Sequence, residues 1–274
     1  MIYVTIGVLS RIISNSYINV FQKILTGSGN RPSCVNFYMY LGLFILCLLF
    51  IPYIFINYTN ELIINFLAMG ILGALGNYFI IKALSIGELS SLAPINSYKP
   101  IVAMIIAFFY LNEIPSLCSI LGIFLIIIGT YILHYKKQSN LQAVLYRVTA
   151  LIFSGTEAVF IKKIILITNV PTSFVLWAIS GLIFASIGLF MSKIKPNVPQ
   201  FKTLLLLILS VTIMQYSTNY VFSKMNVSYA LALFQLSTLL SIFLGVNIFK
   251  DKGLIKKLIG SLMMIVGAIV IILT

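Results

Sequence analysis

The residues of this 274-residue chain that could do chemistry lie where charge is expensive. Arg11, Lys99 and Glu157 each fall inside a long apolar run. A charge near the centre of a bilayer costs on the order of 3 kcal/mol on insertion scales, so such residues face water or a partner. Arg11 and Lys99 are suited to hold a carboxylate or another anionic group. Glu157 is suited to accept an ammonium group or a coupling proton. The competing reading is that Glu157 pairs with Arg11 or Lys99 and merely satisfies both; Arg11, near the start of its run, is also within reach of snorkelling to the interface. Amides and one phenol accompany the charges. Arg11, Asn15 and Asn19 recur at i, i+4 and i+8 on one helical stripe, as do Gln215 and Asn219 at i, i+4. Asn77, Asn96, Tyr98 and Gln235 sit singly in other runs. The predicted binding set is therefore Arg11, Asn15, Asn77, Asn96, Tyr98, Lys99, Glu157, Gln215, Asn219 and Gln235, the amides either binding substrate or joining neighbouring helices.

Other chemistries fare badly. The one histidine, His134, follows an apolar run beside Lys136 and Lys137, which reads as a solvated loop and not a proton relay. The single aspartate, Asp251, lies in a basic stretch, so a paired-aspartate mechanism within the membrane is excluded. Cys34, Cys47 and Cys118 form no CxxC pair and read as small apolar packing residues. No catalytic, metal or cofactor site is expected. No GxxxxGK[ST] loop is present, so nucleotide hydrolysis is not the driving force. Trp177 reads either as a stacking surface or as an interfacial anchor. Lys23, Lys82, Lys162 and Lys224 fall at the ends of runs and read as snorkelling cations. Pro100, placed inside a run, predicts a kink that frees a carbonyl one turn earlier.

The elements that must position these residues are set by composition. Hydrophobic residues make up 61% of the chain and charged ones 8%, with a mean hydropathy of +1.10. A soluble domain is about one quarter charged; this chain cannot cover a water-facing surface. A cytosolic enzyme, a disordered chain and a disulfide-stapled secreted domain are excluded. The net charge of +13 sits mostly between apolar runs, which points to membrane topology and away from nucleic acid. Ten apolar runs of about 20 residues, the length that spans a bilayer, can be marked: roughly 2–25, 34–56, 62–84, 89–111, 115–134, 142–166, 171–191, 201–223, 228–249 and 254–273. The runs are continuously apolar, so helices are expected and not a barrel. The N-terminal MIYVTIGVLS reads as the start of a retained spanning helix, not a signal peptide.

The runs repeat. At an offset of 139, Val20-Phe21-x-Lys23 falls on Val159-Phe160-x-Lys162, Pro32-Ser33 on Pro171-Thr172 and Gly42 on Gly181. At 142, Asn77-Tyr78-x-x-x-Lys82 falls on Asn219-Tyr220-x-x-x-Lys224. At 138, Glu113 falls on Asp251, Gly122 on Gly260 and Gly129 on Gly267. Two copies result, 1–137 and 138–274, with five helices each. An odd helix count inverts the second copy, the architecture used for alternating access around a midplane site. The expected fold is an all-α integral membrane protein with ten transmembrane helices as two inverted five-helix repeats. The fifth and tenth helices carry spaced glycines and almost no polar residues, which suits close packing and a scaffold role.

The acidic turn Tyr110-Leu111-Asn112-Glu113 after the fourth helix, and the glycine-spaced fifth helix around Gly122 and Gly129, resemble the drug/metabolite transporter superfamily, EamA type. The resemblance covers nearly the whole chain. The second acidic turn, Phe249-Lys250-Asp251-Lys252, departs from the usual Gly-Glu form. The resemblance implies a small-metabolite carrier, commonly an exporter of amino acids or related compounds, with the first four helices of each repeat around the pathway and the fifth at the periphery. The reading is a secondary transporter of a small polar metabolite in the plasma (bacterial inner) membrane, with lipid and a small-molecule substrate as partners, proton coupling through Glu157, no nucleic acid, and a monomeric or homodimeric state. A quaternary amine such as choline, drawn by Glu157 and the tyrosines, is the alternative substrate. A passive channel and a non-transporting scaffold are the rival classes.

Basic residues set the expected orientation. With Arg11 and Lys99 set aside, only Lys162, Lys163 and Lys224 fall at even-numbered connections, and the remaining thirteen Lys and Arg fall at odd ones. The positive-inside rule places odd connections in the cytoplasm and both termini outside; the resemblance implies termini inside. The charge count predicts that a cysteine introduced between Lys136 and Asn140 is not labelled by an impermeant thiol reagent added outside. Labelling from outside refutes that orientation.

Overall fold

The computed structural model describes residues 2–28, 30–86, 93–133, 141–192, 199–237, 240 and 254–273. Ten α-helices are present among them: α1 Ile2–Gly27, α2 Pro32–Cys47, α3 Asn60–Ile86, α4 Lys99–Leu111, α5 Leu117–Leu133, α6 Leu141–Ile167, α7 Val170–Met191, α8 Phe201–Phe222, α9 Val227–Phe234 and α10 Leu254–Ile272. Short 3-10 turns, Leu48–Tyr53 and Ala93–Tyr98, follow α2 and precede α4. Among the described residues, four segments are long and apolar enough to cross a membrane: Ser33–Tyr53, Asn60–Ile80, Val170–Met191 and Phe201–Phe222. Large apolar side chains point outward along them, Phe190 at 86% and Phe201 at 75% exposure. In water such surface would be a liability; in lipid it is matched to its solvent. His134, Lys136, Lys137, the Lys193–Val198 stretch and the second acidic turn around Asp251 lie outside the described residues.

Helix starts follow local chemistry. Pro32 opens α2. Asn169 caps α7, its side-chain oxygen accepting from the Thr172 N–H at 2.8 Å. Pro100 behaves differently from the expected mid-helix kink. The segment before it is a 3-10 turn, and α4 begins at Lys99, so the proline sits in the first turn of the α-helix. There its missing N–H would have had no helical partner, and its fixed φ suits initiation.

The helices form two compact units, Met1–Gly70 with Phe160–Ser223, and Ile71–Val159 with Lys224–Thr274. Each draws on both halves of the sequence, and α3 and α6 contribute residues to both. In the first unit, α1 packs on α8, and α2 on α7 and α8. Its core centres on Leu43, Phe174, Leu207 and Val211, with Trp177 tilted against Tyr40 at 5.4 Å between ring centroids. In α2 and its following turn, Tyr40 meets Trp177 and Phe50 meets Phe174, so the order reverses and α2 runs antiparallel to α7.

The second unit is built on α5 and α10. A Cβ placed on Gly122 would lie 2.7 Å from the Gly267 carbonyl oxygen, and one on Gly129 would lie 2.6 Å from that of Gly260. Only a hydrogen fits, and the backbones touch. Ascending residues of α5 meet descending residues of α10, so these fifth helices of the two copies also run antiparallel. Under the 138-residue offset the Gly122–Gly267 contact maps onto Gly260–Gly129. The pair is its own mate, as inversion requires.

Gly129→Ala is expected to lower the thermal stability of the detergent-solubilised protein. Forcing a methyl against backbone costs about 1–3 kcal/mol, beyond the helix-propensity gain of about 1 kcal/mol. Gly188→Ala, whose Cβ would meet nothing within 4 Å, is expected to leave the melting temperature unchanged or raised.

Candidate ionisable site on α3, α4 and α6

Within the second unit the C-terminal part of α3 lies antiparallel to the N-terminal part of α6. Gly73 faces Glu157, Gly76 faces Ser154 and Ala150, and Phe79 faces Phe153 and Tyr146. Small residues bring the backbones close at one end, and rings fill the gap at the other. α4 joins at Gly155: a Cβ there would lie 3.0 Å from a Val102 methyl and 3.5 Å from the Lys99 carbonyl oxygen. The α4 contact at Gly155 is made by Val102 and the Lys99 carbonyl, and Glu157, two residues further along α6, faces α3. Lys99 and Glu157 are both half-buried. The Glu157 carboxylate lies over Gly73, with Oε1 2.7 Å from where a Cβ would stand.

At the other end of the same contact, the Lys82 ammonium lies 4.9 Å from the centre of the Tyr146 ring and 5.5 Å from that of Tyr78. Its Nζ donates to the Tyr78 hydroxyl at 3.4 Å, and Gln142 Nε2 donates to the Tyr146 hydroxyl at 3.1 Å. The helix-end lysine read from sequence as a snorkelling cation therefore rests on the Tyr146 ring and bonds the Tyr78 hydroxyl. Phe79, between Tyr146 and Phe153, backs the arrangement.

The remaining predicted residues are distributed. Asn77 is exposed, and Tyr98 caps the start of α4 with 43% of its surface exposed. Arg11 and Asn15 are half-buried on α1, in the first unit. Gln235, in the second unit, is buried and donates to the Leu231 carbonyl at 3.4 Å. The side chains of Asn19, Lys23 and Asn96 lie outside the described residues. Gln215 and Asn219 are buried in the first unit with their amides 2.9 Å apart. With the Asn219 amide oriented to suit its neighbours, its oxygen accepts from the Phe174 N–H at 3.1 Å and its nitrogen donates to the Gln215 carbonyl at 3.2 Å. Asn219 thereby joins α8 to α7, and Gln215 holds it from within α8.

Five connections between distant parts of the chain escaped sequence reasoning. Glu113, read only as part of the acidic turn, accepts from the Val227 N–H at the start of α9 at 2.9 Å. A carboxylate there meets the positive end of the helix dipole. The turn is set by Asn112, whose φ of 55° is left-handed, and by Tyr229, whose hydroxyl accepts from the Ser116 N–H at 2.8 Å. In the first unit Lys163 and Glu61 form an ion pair at 2.8 Å. Nearby, Asn169 Nδ2 donates to the Tyr53 carbonyl, and the Thr172 hydroxyl accepts from the Phe55 N–H. The acid and the left-handed Asn were visible in sequence; the helix start they serve, more than a hundred residues away, was not.

Antiparallel mate helices, glycine-backed contacts and lipid-facing apolar surface define an integral membrane protein of two inverted five-helix repeats. The chain belongs to the EamA-like transporter family, which it matches twice, over residues 2–135 and 141–273. Among 29 matching chains of solved structures, one crystal structure of a protein superposes with a TM-score of 0.76 at 12% identity, over 97% of this chain and 98% of the other. At that identity the likeness shows the fold alone. No curated protein matches the chain.

Asn219→Ala is expected to destabilise the solubilised protein by about 1–3 kcal/mol, because it strands a buried amide. Asn77→Ala, at an exposed position, is expected to stay within about 0.5 kcal/mol. Thermal unfolding of both variants checks this.

Proposed function

We propose that the chain is a secondary carrier that moves a small amphoteric metabolite, an amino acid or a close relative, across a plasma (bacterial inner) membrane by alternating access. The observation that carries this reading is the Glu157 carboxylate of α6 lying over Gly73 of α3, with α4 approaching α6 at Gly155 through the Lys99 carbonyl. Charges of both signs match a substrate that carries an ammonium and a carboxylate. Lys99 receives the carboxylate, and Glu157 receives the ammonium or the coupling proton. Membership of a transporter family supports the class of activity, and the absence of a nucleotide-binding loop from the sequence supports an ion or substrate gradient as the driving force.

A cationic substrate is the second reading, and Lys82 favours it. Its ammonium on the Tyr146 ring is an internal example of a cation held by a tyrosine face of α6. A quaternary amine would use the same chemistry beside Glu157.

Counterflow of radiolabelled amino acids into liposomes containing the purified protein, with and without a proton gradient, tests the reading, with choline as competitor. Lys99→Met and Glu157→Gln are each expected to lower uptake about ten- to a hundredfold, the scale of one hydrogen bond to a charged group. Size-exclusion profile and helix content should be retained. Unchanged uptake in both variants overturns the assignment; inhibition by choline moves it to the second reading.

A further inference from the structure

We infer that Gly73 is a positioning residue for Glu157: the missing side chain at this position of α3 is what lets the acid lie against the helix, and it thereby sets where the carboxylate stands. The inference rests on the reading of Glu157 as the group that receives substrate ammonium or proton.

The geometry is specific to the carboxylate. A Cβ on Gly73 would stand 2.7 Å from Oε1, 3.1 Å from Cδ and 3.6 Å from Oε2 of Glu157. The whole acid group lies across the space a methyl would fill. One turn along, a Cβ on Gly76 would meet the Ser154 backbone nitrogen at 3.4 Å and its Cβ at 3.5 Å, ordinary van der Waals contact. The two glycines therefore differ in kind, although both sit on the face of α3 that packs on α6. They differ also from Gly122 and Gly129, which abut backbone that cannot move without separating two helices. At Gly73 the obstacle is the end of a flexible side chain, so the acid yields and the fold does not. A glycine Cα–H beside an acid oxygen is in addition a weak donor toward it.

The second copy of the repeat gives an independent comparison. At the 142-residue offset that aligns Asn77 with Asn219, Gly73 falls on Gln215; at the 139-residue offset that aligns Val20 with Val159, Glu157 falls on Ile18. The copy without the acid has a full-sized side chain at the glycine position, and that side chain is buried. Packing α3 or its mate against the neighbouring helix does not in itself require a glycine there. The glycine accompanies the acid.

The test needs no knowledge of the substrate. Full-length protein in liposomes is treated with dicyclohexylcarbodiimide, an apolar reagent that adds to carboxyl groups within membranes. Modification of the peptide containing Glu157 is followed by mass spectrometry, with Glu157→Gln as the blank. Gly73→Ala is expected to raise the rate of modification at Glu157 several-fold, and Gly76→Ala to leave it at the wild-type value. No rise in Gly73→Ala, or an equal rise in Gly76→Ala, overturns the inference. Shortening the acid should make room for the methyl: in amino-acid counterflow, Gly73→Ala/Glu157→Asp is expected to recover most of the roughly tenfold loss caused by Gly73→Ala alone. A double variant no better than the single one also overturns it. Should Gly73→Ala fail to fold, Glu157→Ala must restore its melting temperature, since it removes the obstacle; failure to restore refutes the inference. Labelling as expected without counterflow would leave the position of the acid standing and remove the carrier reading.

Discussion

Helices in lipid gain nothing from hiding apolar surface from one another, because the surrounding tails are as apolar as leucine. They associate where backbones come close enough for dispersion and weak hydrogen bonds to act, and that requires positions with no side chain. Gly122 and Gly129 against Gly267 and Gly260 meet this requirement in the second unit. The two contacts together fix the direction and register of α5 against α10. Once α5 and α10 are locked antiparallel through glycines that map onto each other, the inverted relation of the two copies follows locally.

The same constraint explains why compactness does not follow sequence order. Each copy contributes helices to both units, and α3 and α6 pass from one unit to the other. The mates α2 and α7 share one core, and α5 and α10 share the other. A single copy could not bury its contact faces alone, because α2, α4 and α5 pack on their own mates α7, α9 and α10, and α1 and α3 pack on each other's mates, α8 and α6. The tethers between distant connections, Glu113 to α9 and Tyr53 to Asn169, fall within units and across copies.

The copies have diverged in what they carry at equivalent positions. One places an acid against a glycine. The other places Ile18 and Gln215 there, with the Gln215 amide tied to Asn219, whereas the tyrosine and lysine of Tyr78 and Lys82 recur as Tyr220 and Lys224. One arrangement holds a carboxylate over a glycine; in the other, Asn219 joins α8 to α7. A charge is more costly to hold in lipid than a bonded amide, so the two copies differ in what the same helix contact must accommodate.

The sequence alone determined the environment, the ten helices and the two-copy organisation. These follow from local quantities: run length against bilayer thickness, the scarcity of charge, and an ordered series of matches at nearly constant offset. It also singled out Arg11, Lys99 and Glu157, because a charge in an apolar run stands out without knowledge of its neighbours. What it misjudged was local context at Pro100, where a 3-10 turn turned an expected kink into a helix start. What it could not reach was pairing. That Gly73 receives Glu157, that Lys82 rests on Tyr146, that Asn219 joins α8 to α7, and that Glu113 serves the start of α9 were decided only by tertiary structure. Each depends on which helix faces lie together, and a helical period of 3.6 residues fixes the faces but not their partners.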